Sequence, residues 1–306
     1  MQVNNPEVSF ITINYNGISD TLQLIQSLKH TIKSVSFEII VVDNASLKNE
    51  AELIHDYYSD VITIRSEVNL GFSGGNNLGI SRSSGCYLFF INNDTYIEED
   101  GIKYLVDRLE SSSIIAGVSP KIRFAYGEQR IQFAGYLPLS NVTMRNRALG
   151  CHELDSGQCN VATITPYLHG AAMMFKREAI KQVGLMPEIY FLYYEELDWC
   201  TQFVREGYEL WYEPKSIIFH KESQSVGLQS PLRTFYMTRN RLLYVWRNNT
   251  IYVAVFSILY QISAVALKNI IVNIFSFQID LAFAVIRGIV SFFRLKNKRK
   301  HYDWIS

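Results

Sequence analysis

Three polar clusters in this chain carry residue types that bind cations or move protons. Asn92-Asn93-Asp94 ends the apolar run Leu88-Phe89-Phe90-Ile91, offering two amides and a carboxylate at the end of a strand. Such an oxygen-rich set suits a hard divalent cation. Glu195, Glu196 and Asp198 follow the run Tyr190-Phe191-Leu192-Tyr193-Tyr194. A helix opening near Glu196 and running through Val204 would put that carboxylate at the positive end of the helix dipole, favouring its ionised, base-competent form. Glu195 and Asp198 would then be neighbours at i, i+3. His220 comes after the apolar Ile217-Ile218-Phe219, where a neutral imidazole could complete a cation site with Asp94. Each cluster also has a plainer reading: an Asn/Asp turn, an acidic helix start and a structural histidine.

The elements that must position these groups are legible in the hydrophobic pattern. Residues 8–13, 37–42, 61–65 and 87–91 read as strands, the stretches around Thr21–Leu28 and Glu50–Tyr58 as helices between them, and Phe72–Ser83 as a loop leading into a helix. Strands alternating with helices over short connections predict a parallel, doubly wound α/β sheet. Polar residues punctuate the strand ends: Asn14 and Asn16, then Asp43 and Asn44, then Asn92 and Asp94. In open α/β sheets such ends converge on one crevice. Asp43 stands where a carboxylate can accept hydrogen bonds from a ribose or base. The first strand leads into Asn-Tyr-Asn-Gly, not a Gly-x-Gly-x-x-Gly turn, and no Gly-x-x-x-x-Gly-Lys-Ser/Thr loop exists. Asn69 to Asn77, including Gly75 and Asn76, reads instead as a flexible, amide-rich loop that could approach a nucleotide closely.

Further along, 101–111 reads as a helix and 114–120 as a strand. Residues 121–160 are irregular and are taken as an insertion that shapes an acceptor site. Small residues in the stretch from Tyr167 to Phe175 mark a close backbone approach. Leu210–Tyr212 and Ile217–Phe219 read as two short strands, with Gly207 capping the helix before them.

Composition narrows the functional classes. The chain has 306 residues, 48% hydrophobic and 19% charged, with zero formal net charge. That length allows one large domain and an appendage. Neutral balance argues against nucleic acid as a partner. Cys86, Cys151, Cys159 and Cys200 lack the paired spacing of a zinc or disulfide framework; Cys151, His152 and Cys159 as a metal set is the weaker alternative. The N-terminus lacks the pattern of a secretory signal, which together with reduced thiols points to the cytoplasm. From Ile251 to Phe293 the chain is mostly apolar and ends in the basic run Arg294 to Lys300. Ile251–Leu267 carries no charge over 17 residues, slightly short for a span. Beyond it, polar residues from Asn269 to Arg294 recur at helical steps, predicting one amphipathic helix on a membrane surface. A homo-oligomer contact and a true span rank after that.

These motifs resemble, in order, those of the inverting family-two glycosyltransferases. The resemblance rests on Val8–Gly17, Val41–Ser46, Asn69–Gly79, Phe90–Thr95, Gly170–Met174, Tyr193–Trp199 and His220, and covers residues 8 to about 225. It looks most like the rhamnosyltransferase-type branch that builds bacterial surface polysaccharides, a branch that Thr238–Leu242 also resembles. The resemblance implies a GT-A fold over 1–228, divided near residue 120 into donor and acceptor halves, with a helical extension over 229–306. It also implies a nucleoside-diphosphate sugar donor, a divalent cation (Mg2+ or Mn2+), and a glycan or lipid-diphosphate-linked acceptor. Asp43 would then bind the nucleoside, with Tyr15 stacking nearby and Asn16, Asn44, Gly75, Asn76, Asn92 and Asn93 on the donor side. Asp94 and His220 would hold the metal. Glu196 would be the catalytic base, with Glu195 as its alternative. His169, Gly170, Trp199, Arg239 and Arg241 fall to the acceptor or a phosphate. Asn92 and Glu196 both stand where many members have Asp, which leaves Asp94 as the main ligand and lengthens the base by one methylene. The rival reading is a catalytically silent nucleotide-sugar or glycan binding protein on the same fold; a nucleotidyltransferase would want an early basic loop that is missing.

Overall fold

Strands buried on both faces should read as nearly continuous apolar runs, and those of the N-terminal half do. The computed structural model describes residues 5–222 and 230–295; the basic run beyond Leu295 and the expected boundary at 228 lie outside them. In chain order the elements are β1 (Val8–Asn14), α1 (Ile18–Thr31), β2 (Phe37–Asn44), α2 (Glu50–Tyr57), β3 (Ile62–Ser66), α3 (Gly71–Arg82), β4 (Tyr87–Ile91), β5 (Thr95–Tyr96) and α4 (Ile102–Glu110). They continue with β6 (Ile115–Phe124), β7 (Ile131–Phe133), β8 (Thr163–Ile164), β9 (Ala172–Lys176), α5 (Arg177–Val183), α6 (Glu195–Arg205) and β10 (Glu209–His220). Four helices and a π-helical turn follow: α7 (Pro231–Asn248), α8 (Ile251–Tyr260), the π turn Gln261–Ala266, α9 (Leu267–Phe275) and α10 (Ile279–Leu295).

The chain divides into two compact units. The first holds the sheet, in the order β3-β2-β1-β4-β9-β6-β10-β5. Strands β3, β2, β1 and β4 are parallel, as expected; β9 then runs antiparallel to both β4 and β6, and β10 returns parallel to β6. The result is an α/β sheet, parallel over β3-β2-β1-β4 and mixed beyond them. Its core gathers Phe10, Val41, Phe89, Leu105, Val118, Ile122 and Met174, all fully buried. Two expectations change. Leu210–Tyr212 and Ile217–Phe219 belong to one strand, because the ladder to β6 slips between Glu213 and Ile217, around Pro214, which has no N–H to give. The presumed irregular insertion starts later, since β6 runs to Phe124 and β7 pairs back on it.

Among the described residues the second unit comprises 139–146, 192–194 and 230–295. Ser257 Oγ and Gln261 Nε2 both donate to the Val142 carbonyl at 2.9 Å, which ties the short 139–146 segment to the helices. At Gly288 a Cβ would come within 2.9 Å of the Phe235 carbonyl oxygen, so α10 crosses α7 where only glycine fits. The helical run Ile251–Phe275 is continuous through its π turn and spans 25 residues. It is long and apolar enough to cross a membrane by length and composition, which corrects the expected 17-residue limit. The single amphipathic stripe is also corrected: a break after Phe275 divides those polar residues between α9 and α10.

Candidate active site

Apart from Tyr193 and Tyr194, which precede α6 and fall in the second unit, the groups in this paragraph and the next two belong to the first unit. After β4 the chain turns sharply. Thr95 donates to the Asn92 carbonyl through both its N–H (3.2 Å) and its Oγ1 (2.7 Å), and the turn feeds β5. Strand β5 pairs antiparallel with the end of β10, Thr95 opposite His220. That pairing lays Asp94 against the histidine: Asp94 Oδ1 is 3.2 Å from His220 Nε2, with both side chains buried. His220 Nδ1 lies 2.8 Å from Gln132 Oε1 on β7. The pair fits a divalent cation: a carboxylate oxygen and an imidazole nitrogen converge, and the far ring nitrogen is already held. No third His, Cys, Asp or Glu completes a closed cluster among the described residues, so the other coordination positions would fall to ligand oxygens or water.

The chain enters α6 through a strained stretch. Phe191, Tyr193 and Tyr194 all have φ between 66° and 77°, the left-handed region that L-residues rarely occupy. Helix α6 then opens on the acids. Glu195 is turned inward and buried, whereas Glu196 is half-buried. Gly170 lies directly against Glu196: a Cβ there would sit 3.7 Å from the Glu196 Cγ. The same loop reaches the Asn92 turn, because the Asn92 N–H donates to the Ala171 carbonyl at 2.9 Å. His169 stacks nearly parallel to Tyr136, 6.2 Å between ring centres, and its ring is 6.3 Å from that of His220. Burial, with the neighbouring His220, lowers the His169 pKa to about 3, so the imidazole is neutral and its Nδ1 accepts from the Ala171 N–H at 3.1 Å. Burial and the Glu196 charge raise the Tyr136 phenol above its ordinary value. Tyr136 thus belongs to the surroundings of Glu196. Lying in the irregular 121–160 stretch, it left no periodic or motif signal in the sequence.

The residues expected on the donor side separate into two kinds. Tyr15 is 51% exposed at the end of β1 and free to stack. Asn93 Nδ2 donates to Thr21 Oγ1 at 3.1 Å, and Thr21 donates to Asn14 Oδ1 at 2.7 Å. Asn14 in turn donates to Glu50 Oε2 at 2.7 Å, so the turns after β1 and β4 share one network. Asn16 is braced against the next turn, its N–H on Ser46 Oγ and its Oδ1 taking the Leu47 N–H, both at 2.8 Å. Asp43, however, is fully buried, accepting from the Ser46 and Ala51 N–H groups and from Arg65. Asn44 is spent on Asn69, Leu70 and Gly71. The expected flexible loop is helix α3, formed from Gly71 onward. Gly75 and Asn76 are buried in it, because a Cβ at Gly75 would meet Ile13 Cδ1 at 2.9 Å. Gly75 thus lets the helix approach β1.

Trp199 is likewise core. It is fully buried among Phe90, Phe175 and Phe203, and its Nε1 donates to the Gly184 carbonyl at 2.9 Å, which leaves nothing to offer an acceptor. Arg239 and Arg241 lie in the second unit. Arg239 is buried over the rings of Tyr236 and Phe235, at 4.6 and 5.5 Å, and donates to Asn240 Oδ1. Arg241 Nε donates to the Tyr194 hydroxyl at 3.1 Å.

Comparison with known proteins gives the arrangement its context. The sequence model of the family described as Glycosyl transferase family 2 matches residues 9–184, more than half of the chain, ending before Glu195. The low-salt glycan biosynthesis hexosyltransferase Agl10 of Haloferax volcanii is 27% identical over 243 residues, covering 78% of this chain and 75% of the relative. A poly-beta-1,6-N-acetyl-D-glucosamine synthase of Staphylococcus epidermidis is 26% identical over 72% of this chain, which spans about half (51%) of that enzyme's length. Among solved structures, the mannosyltransferase PcManGT of Pyrobaculum calidifontis, in complex with GDP-Man and Mn2+, superposes with a TM-score of 0.57 at 12% identity, over 95% of this chain and 88% of that one. That likeness establishes a GT-A-type fold.

Proposed function

This chain belongs to glycosyl transferase family 2, and we propose that it moves a sugar, rhamnose or a hexose, from a nucleoside-diphosphate donor to a hydroxyl of a glycan or lipid-linked acceptor, with inversion. The observation that carries the reading is the 169–171 loop, which lies against Glu196 at Gly170 and holds the Asn92-Asn93-Asp94 turn through Ala171. A base and a cation pair are thereby built from neighbouring stretches of one sheet edge. Glu196 takes the proton of the acceptor hydroxyl as it attacks from the face opposite the leaving diphosphate, help worth about 10²–10⁴-fold. Asp94 and His220 would hold a divalent ion, Mg2+ or Mn2+, which when bound offsets the charge developing on the diphosphate. Tyr15 stacks on the nucleobase, while Asp43, Asn44, Gly75 and Asn76 shape the pocket behind it. Between the two acids, the accessible Glu196 is favoured over the inward Glu195.

A catalytically silent binding protein would need no base, and a half-buried carboxylate beside a glycine favours the enzyme. The relatives' names place them in glycan synthesis, which supports a role in surface polysaccharide such as O-antigen or capsule. The exposed apolar run 251–275 supports association with the inner face of the cell membrane. The deciding experiment screens nucleotide sugars for nucleoside-diphosphate release with a lipid-linked acceptor, with and without Mn2+ or Mg2+. Metal-stimulated, acceptor-dependent release from one donor is expected. Tight donor binding with no turnover in any combination would instead establish the silent binder.

A further inference from the structure

Gln132 is the middle residue of a three-residue strand, between Ile131 and Phe133, and all three are buried. Burying an amide there costs free energy unless it is hydrogen-bonded. The ladder between β6 and β7 pairs Ile122 with Phe133 and Arg123 with Ile131, which skips Gln132 and makes it a bulge. Bulges re-aim side chains. This one ends with its Oε1 2.8 Å from His220 Nδ1. A carbonyl oxygen accepts only, so it selects the imidazole that carries its proton on Nδ1. The lone pair on Nε2 then faces Asp94 Oδ1 at 3.2 Å. Two acceptors facing each other repel, and a cation between them reverses the sign.

We propose that Gln132 is a positioning residue: it fixes His220 as the Nδ1–H tautomer, so that Nε2 is presented as a ligand beside Asp94. The inference rests on the metal reading above, and the test separates the two. Long-range 1H–15N correlation on metal-free protein at about pH 8.5, well above the ordinary histidine value near 6.5, reads the His220 tautomer directly. The proton is expected on Nδ1 in the wild type and in Gln132→Glu, which keeps an acceptor oxygen, and a shift toward Nε2–H is expected in Gln132→Leu. Titration with Mn2+ alone, followed by the EPR signal of the free ion, should show affinity about 10–100-fold weaker in Gln132→Leu, the usual cost of losing the partner of a ligating histidine. Gln132→Glu should stay within a few fold of wild type. A wild-type His220 protonated on Nε2, or on both nitrogens, overturns the proposal without recourse to any variant. So does a folded Gln132→Leu protein with unchanged tautomer and Mn2+ affinity. If the tautomer responds as described but wild type binds no Mn2+, Gln132 keeps its role and the metal reading falls.

Discussion

Arg65 places Nη1 2.6 Å from Oδ2 of Asp43, a carboxylate with no solvent exposure. The same guanidinium reaches the carbonyls of Lys48 at 2.9 Å and Ser46 at 3.0 Å, so one side chain ties the turn after β2 to β3. Arg65→Met leaves Asp43 with only its two backbone donors and releases two carbonyls. The expected loss is about 1.5–3 kcal/mol, the range for hydrogen bonds to a charged group, read as a lower urea midpoint at constant slope. Unchanged stability with weakened donor binding would return the pair to direct donor recognition.

Glu196→Gln keeps shape and hydrogen bonding but cannot take a proton. Turnover should fall by about 10²–10⁴-fold with donor affinity nearly intact, measured by nucleoside-diphosphate release and calorimetry. Glu195→Gln alters a buried group and should affect stability more than turnover. The reverse pattern would exchange the roles of the two acids.

Asp155 pulls Lys121, itself 2% exposed, and Arg123 onto one carboxylate. Burial alone would raise its pKa; the hydrogen bonds from Lys121 and Arg123 outweigh that and bring it from the ordinary 3.8 to about 2. The folded state therefore binds this proton less readily than the unfolded chain. The stabilisation is fully present above about pH 4 and is lost as the pH falls through about 2, amounting to roughly 2 kcal/mol. Asp155→Asn should flatten the stability profile in that window; an unchanged acid slope would show that other carboxylates set it.

Phe256 and Phe275, 63% and 81% exposed on the 251–275 run, can be replaced with little effect on packing. Burying such a ring in lipid is worth roughly 1.5–3 kcal/mol. Phe256→Ser with Phe275→Ser should therefore reduce binding to anionic vesicles by at least about tenfold, measured by flotation. Equal flotation of variant and wild type would remove this face as the anchor.

Much of the N-terminal architecture was legible because its signals are periodic and local. Apolar runs ending in Asn14, Asp43 and Asn92 specify parallel strands and the edge they share. What stayed hidden depends on partners distant in sequence. Asn44 and Asp43 look like ligand-facing groups until Asn69 and Arg65 are seen to occupy them. Gly74-Gly75 reads as a loop because glycine weakens helices, yet close packing of α3 on β1 overrides that propensity. Trp199 beside three acids reads as an acceptor platform, but its ring points at Phe175 on β9. Gln132 and Tyr136 carry no sequence signal at all, since one owes its place to a bulge and the other to a ring stacked across 33 residues.

Tyr193 and Tyr194 hold left-handed backbone with full aromatic side chains, at φ of 69° and 77°. Each costs about 1–2 kcal/mol relative to ordinary backbone. The cost is met within the second unit. Asn240 Nδ2 donates to the carbonyls of Leu192 and Tyr193 at 2.7 and 2.8 Å, and the Tyr194 ring packs 5.9 Å from that of Tyr244. Such a turn behaves as a clasp rather than a hinge. It has little to gain from small adjustments and much from letting go altogether, so any excursion of these residues should be all-or-none. Its natural observable is a discrete second population in hydrogen exchange of the amides of α7, which carries the asparagine that fastens it.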